Sequence, residues 1–175
     1  TAFVISGVSA WYLLRGRSVL ESRQAFPMGL WLIAVLAPVQ IFIGDQSGLE
    51  VRAHQPAKLA AIEAHWETSG DVPLILFAWP DQGGEKNDFV LEIPHLGSLI
   101  LTHSWDGTVQ GLKEFPPQDR PPVAIVFWTF RIMVGLGFLM LGAALLGLWL
   151  RAVGRLYDSR WFHRFMVVML PSGFV

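Results

Sequence analysis

The sequence predicts an all-α polytopic membrane protein: a segment of a helical bundle with four transmembrane helices, the first and last truncated, and one long external loop that contains a short amphipathic helix. Three observations carry this. The 175 residues are 53% apolar and 15% charged, with eight Trp and twelve Phe, a composition typical of membrane chains rather than soluble domains. The apolar residues are clustered. Two complete runs, residues 25–44 and 123–150, are long enough to span a bilayer, because about 20 residues rising about 1.5 Å each cross about 30 Å of hydrocarbon. Two further apolar runs, residues 1–14 and 161–175, stop at the chain ends, and no signal-peptide pattern precedes the first. The expectation is an internal piece of a longer protein.

Charge is segregated as well. Arg15, Arg17 and Arg23 stand against Glu21 between the first two runs, and Arg151, Arg155, Arg160 and Arg164 against Asp158 between the last two. Short arginine-rich loops stay on the cytoplasmic side, which places the 45–121 connection outside. That connection holds five basic and twelve acidic residues, in agreement. The expected organisation is two transmembrane helices with a cytoplasmic turn over residues 1–44, an external loop over 45–121, and two more helices with a cytoplasmic turn over 122–175.

The first helix ends in Trp11, Tyr12 and Arg15, an aromatic and cationic interface anchor. In the second, Pro27 and Pro38 are tolerable because neighbouring groups satisfy the freed backbone, and Gly44, Asp45, Gln46, Ser47 and Gly48 read as a tight exit turn. Pro56 opens an Ala-rich run of helix formers that reaches Glu67. At about 100° per residue, Leu59, Ile62 and Trp66 form its apolar stripe, with Lys58 and Glu63 on the two borders. Residues 72–79 and 89–93 are strand-like, separated by the turn cluster Pro80, Asp81, Gln82, Gly83 and Gly84; residues 98–103 are a third strand candidate. The stretch 116–122, with four prolines, reads as a polyproline-like lead into the third helix.

The third helix carries the chemical anomaly. Arg131 is the one ionisable group in residues 123–150, and a guanidinium in a bilayer is costly unless it faces protein, water or a bound group. Met133 follows two residues later, with Gly135, Gly137, Gly142 and Gly147 thinning the helix for close approach. Methionine is an axial ligand of haem iron in some cytochromes, although a membrane methionine is far more often packing. With no cysteine, the 175 residues form no disulfide and hold no thiolate metal site. They show no phosphate loop, zinc spacing or Ser/His/Asp signature, and no nucleic-acid partner is expected. On residues alone, a haem-free transporter or scaffold with a polar pathway at Arg131 stays open as an alternative.

Several stretches together resemble subunit I of the cytochrome bd type quinol oxidases: SAWYLLRGR (9–17), GDQSG (44–48), KLAAIEAHWE (58–67), GLK (111–113) and FWTFRIMVG (127–135). The likeness covers essentially the whole chain, in a form with a short quinol loop. It implies a multi-pass enzyme of the bacterial cytoplasmic membrane, electrogenic, that oxidises quinol at the outer face and reduces oxygen to water. The family carries two b-type haems and a haem d. By the same resemblance, Met133 is an axial ligand of the low-spin haem b, opposite a His outside these residues. Arg131 lies close to that haem. Lys58 and Glu63 form the quinol-binding and deprotonating pair of the external loop. The implied partners are oxidase subunit II and small accessory subunits, and these 175 residues by themselves are expected to be inactive.

Overall fold

In a computed structural model, which describes residues 1–105 and 107–174, the chain is mostly helical and contains one two-stranded sheet. The order is α1 (Ala2–Arg15), α2 (Val19–His54), α3 (Pro56–Ile62), β1 (Leu74–Asp81), β2 (Lys86–Ile93), α4 (Leu96–Thr102), two 3₁₀ turns at Leu112–Glu114 and Pro117–Asp119, α5 (Val123–Ala152) and α6 (Arg160–Val168), followed by a 3₁₀ segment at Leu170–Phe174. Helices α2 and α5 are long and apolar enough to cross a membrane; α1 is apolar but shorter. The chain divides into two compact units, Thr1–Ile41 with Met133–Val175, and Phe42–Ile132.

The first unit is held together by small residues. A Cβ on Gly29 would lie 2.2 Å from the Ser6 hydroxyl of α1, one on Gly147 2.7 Å from Leu30, and one on Gly7 3.0 Å from Leu170. Close approach at glycines is how helices associate where no hydrophobic drive separates side chain from solvent. Phe26, Leu30, Leu156, Phe162 and Met166 fill the interior. Trp31, Met28, Leu20 and Val168 point outward. Helix α1 ends at Gly16, whose φ of +63° suits glycine, with Gly16 and Arg17 N–H groups returning to the Leu13 and Tyr12 carbonyls.

The second unit departs from the sequence expectations in four places. Helix α2 does not exit at residues 44–48 but continues to His54. Nothing lies within 4 Å of a Cβ on Gly44 or Gly48, and the Ser47 hydroxyl bonds back to the Ile43 carbonyl at 2.9 Å, inside the helix. Helix α3 stops at Ile62, five residues short of Glu67. Residues 98–103 are not a strand: most of them belong to helix α4. The Ser98 hydroxyl takes the Val72 N–H at 2.8 Å and donates to the Gly70 carbonyl at 2.9 Å, which ties the segment to the residues just before β1. The proline-rich lead contains a 3₁₀ turn at Pro117–Asp119 between extended residues.

The expected strand pair does form, so the fold is not purely helical. Strands β1 and β2 are antiparallel, from Leu74 opposite Ile93 to Asp81 opposite Lys86, with irregularities on either side of Phe77. At the turn an Asp81 carboxylate oxygen accepts the Gly83 N–H at 3.0 Å. The turn is fastened to the start of α5, where Arg120, its side chain nearly buried, pairs with Glu85 and donates to the Phe115 carbonyl.

Candidate functional site

The site is built at the broken end of α3. Ala64 adopts φ +50°; its N–H bonds to the Ala61 carbonyl and that of His65 to the Ala60 carbonyl at 2.8 Å. This is a Schellman ending with Ala where glycine is usual. A left-handed alanine costs about 1 kcal/mol, and surrounding contacts hold it there. The Asn87 side chain donates to the Ala64 carbonyl at 2.8 Å and accepts the Trp66 indole N–H at 2.9 Å. The backbone of His65 and Trp66 accepts N–H bonds from Leu112 and Lys113. Gly111 permits that approach, because a Cβ there would sit 2.4 Å from the Glu67 backbone.

The consequence is that Glu63, the last residue of the helix end, turns inward. It is 5% exposed. Its Oε2 accepts a hydrogen bond from Arg131 Nη2 of α5 at 2.6 Å, and Arg131 Nε donates to the Ile75 carbonyl of β1 at 2.8 Å. The guanidinium carbon lies 4.8 Å from the Phe127 ring centre and 5.7 Å from that of Phe130. A charge buried in this way is tolerated because its partner is buried with it. Ala60, Ala61, Ala64, Ile75 and Phe127 form the apolar cluster around the pair. Glu63 Oε1 makes no hydrogen bond among the described residues.

Of the four residues singled out from sequence, the structure brings two together, Glu63 and Arg131. Lys58 does not join them. It is exposed and makes no ion pair among the described residues. The expectation that Lys58 and Glu63 border one apolar stripe fails because the helix ends between Ile62 and Ala64, which puts Glu63 on the buried side. Met133 is 57% exposed on α5. A Cβ added at Gly135, Gly137 or Gly142 would meet nothing within 4 Å. Two residues apart on a helix is about 200°, so Met133 and Arg131 project to opposite sides.

Outside the helices the site has an electrostatic border. Glu67 is bonded to Lys113 Nζ at 2.9 Å, and that bond holds its carboxyl below the usual carboxylate range. Burial pushes the His65 imidazole below the usual histidine value, partly offset by Glu67. Asn87 and Ile75 were missed by sequence reasoning. Asn87 lies between the turn cluster and the 89–93 run with nothing to mark it, and Ile75 contributes only its backbone.

Two membrane-length apolar helices and a carboxylate–guanidinium pair buried beneath a short helix define a helical membrane-type protein with a charged internal centre. The comparisons narrow the class. The profile of the family described as cytochrome bd terminal oxidase subunit I matches residues 1–175, and the chain belongs to that family. It is 34% identical to the cytochrome bd ubiquinol oxidase subunit 1 of Bacillus subtilis (strain 168), over 99% of this chain and 39% of that protein. It is 31% identical to the cytochrome bd-II ubiquinol oxidase subunit 1 of Escherichia coli (strain K12), over 99% of this chain and 47% of that one. The fold is similar to that of the bd oxidase from Geobacillus thermodenitrificans, with TM-score 0.86 and 31% identity over 97% of this chain and 39% of the other. The chain thus spans less than half the length of these relatives.

Proposed function

We propose that these residues form the quinol-oxidising section of a bacterial terminal oxidase that passes electrons from quinol to oxygen and contributes to the proton-motive force. One observation carries the reading: Glu63 is held by Arg131, and Arg131 lies two residues before Met133 on the same membrane-length helix. In the proposed arrangement α1, α2, α5 and the α6 region span the cytoplasmic membrane and the 45–121 loop faces outward. Subunit II, with small accessory subunits, completes the complex.

The chemistry follows from the residues. Oxidising a quinol to a quinone releases two electrons and two protons. A quinol hydroxyl donates its hydrogen bond and then a proton to Glu63, which Arg131 orients with Oε1 free. Lys58, exposed at the other end of α3, reaches toward the second quinol oxygen from the solvent side. Protons taken up by Glu63 leave toward the loop side.

The exposed thioether of Met133 and the open space at Gly137, one helical turn further on, offer a soft donor beside room for a flat group, which fits a haem b. Met133 would hold the haem iron together with a His outside these residues, and the haem when bound would supply one-electron acceptance. The full complex is expected to hold a second haem b and haem d. A haem-free pathway at Arg131 is disfavoured by its side chain, which is 13% exposed and committed to Glu63 and the Ile75 carbonyl.

In the full-length complex, Met133→Leu is expected to abolish or shift the low-spin haem absorbance. Glu63→Gln should leave that absorbance in place and cut quinol turnover by about 10²-fold or more, the lower range for loss of a general base. An unaltered spectrum in the first variant removes Met133 as ligand, and full turnover in the second removes Glu63 as proton acceptor.

A further inference from the structure

The seven arginines of the first unit, Arg15, Arg17, Arg23, Arg151, Arg155, Arg160 and Arg164, make no ion pair among the described residues. Two of them, Arg15 and Arg160, line an open cleft of about 500 Å³ between the end of α1 and the turn into α6. Leu13 and Leu14, the last apolar residues of α1, line it together with the two arginines.

Its frame is fixed by contacts that leave the guanidinium N–H groups without a hydrogen-bond acceptor among the described residues. The Arg15 guanidinium lies 4.4 Å from the Trp11 ring centre. The Tyr157 hydroxyl donates to the Arg23 carbonyl at 2.9 Å, while the Arg23 guanidinium lies over the Tyr157 ring. His163 Nε2 donates to the Leu156 carbonyl at 2.8 Å. One carboxylate, Asp158, is present against the two arginines.

From this we infer that the cleft binds the phosphodiester headgroup of an anionic phospholipid. Three features select that ligand. Planar guanidinium forks match phosphate oxygens two at a time, and the three lysines of the chain, Lys58, Lys86 and Lys113, all lie in the 45–121 loop, so every cation here is an arginine. The apolar lining of Leu13 and Leu14 suits a glycerol–acyl region and is of no use to a free anion. Basic clefts at the ends of membrane helices are where anionic headgroups collect. The inference rests on the proposal that α1 and the α6 region lie in the bilayer; it does not depend on haem or quinol.

The test uses the full-length oxidase complex, stripped of lipid in a neutral detergent and then offered dioleoylphosphatidylglycerol, tetraoleoyl cardiolipin, dioleoylphosphatidylcholine or inorganic phosphate. Native mass spectrometry reads lipid retained per complex, and thermal unfolding reads the shift. The two anionic lipids are expected to be retained at least tenfold better than the phosphatidylcholine. The double variant Arg15→Gln, Arg160→Gln should weaken that retention by roughly 30-fold, and Asp158→Asn, which removes the one repulsive group, should strengthen it. Equal retention of phosphatidylcholine, an equal thermal shift from inorganic phosphate at the same concentration, or undiminished retention in the double variant overturns the inference. So does weaker or unchanged retention in Asp158→Asn, which guards against a double variant that merely misfolds. Haem absorbance of the same samples reads the oxidase proposal separately: lipid selectivity without haem would sink that proposal and leave this one standing.

Discussion

The two units use the same side chain in opposite ways. Each arginine of residues 42–132 is a strut. Arg52 donates to the Leu101 and Thr108 carbonyls, Arg120 to Glu85 and the Phe115 carbonyl, and Arg131 to Glu63 and the Ile75 carbonyl. The seven arginines of the other unit carry no ion pair among the described residues, and its helices meet through Gly7, Gly29 and Gly147 instead. An irregular segment of loops and short elements has many backbone groups without regular partners, and long fork-shaped donors satisfy several at once. A bundle of long helices satisfies its own backbone, so its arginines remain available for something outside the chain.

The largest expected effect tests the strut side. Arg131→Gln strands the Glu63 carboxylate in an apolar cluster, and breaking a buried pair by removing one partner costs about 3–5 kcal/mol. The thermal midpoint of the full-length complex should fall and quinol turnover should collapse with it. The double variant Arg131→Leu, Glu63→Leu should regain much of the stability and none of the turnover. If the double variant is as unstable as the single, the pair is not the source of the loss.

Packing comes next. Gly147→Val places a side chain where Leu30 and the Phe162 ring already sit, 2.7 and 2.8 Å from the first added carbon. Overpacking of this kind costs about 1–3 kcal/mol. The same change at Gly137, where nothing is near, should cost little stability and instead disturb the haem absorbance. Equal losses at both positions would erase the distinction between a packed face and an open one on α5.

The sequence made some of this legible. Arg131 was visible as the charged exception in residues 123–150, and the hairpin could be read from the Pro80–Gly84 cluster between two strand-like runs. Its partner could not be read. Carrying a 100° period past Ile62 puts Glu63 at a border, and no residue type announces that Ala64 will take a left-handed conformation; that depends on Asn87, 23 residues away, gripping its carbonyl. Residues 98–103 misled for a related reason. A short Leu and Ile run suits a strand as well as a buried helix, and the choice was made by Ser98 bonding across to Gly70 and Val72. The continuous α2 hid behind Gly44 and Gly48, which break soluble helices more readily than apolar ones.

Acid should open the loop unit in two steps. The folded-state value of His65 is lowered by burial, so below the ordinary histidine value the unfolded chain takes up a proton that the folded chain resists. Its contribution to stability is present above that value and fades as pH falls through it. Glu67 is lowered by Lys113, so its contribution is present above the ordinary carboxylate range and is lost at still lower pH, toward its folded value. Hydrogen exchange of the full-length complex at pH steps from neutral downward should show residues 56–67 and 111–114 opening as these two groups take up protons. His65→Gln should remove the earlier step and leave the later one.

The smallest expected effect tests the free side. Arg164 sits on α6, exposed and without an ion pair among the described residues, and replacing it with Gln should change stability by no more than about 0.5 kcal/mol. It lies outside the cleft that Arg15 and Arg160 line, so phosphatidylglycerol retention should fall far less than in the Arg15, Arg160 double variant, by roughly fivefold if long-range attraction to the anionic surface is worth about 1 kcal/mol. Raising ionic strength should shrink that fivefold difference, because exposed charges further apart than about 8 Å are screened at physiological salt. A stability loss comparable to that of Arg131→Gln would mean that this arginine, too, braces the protein through a contact made only in the full-length complex, and the division between struts and free cations would then follow exposure in these residues rather than role.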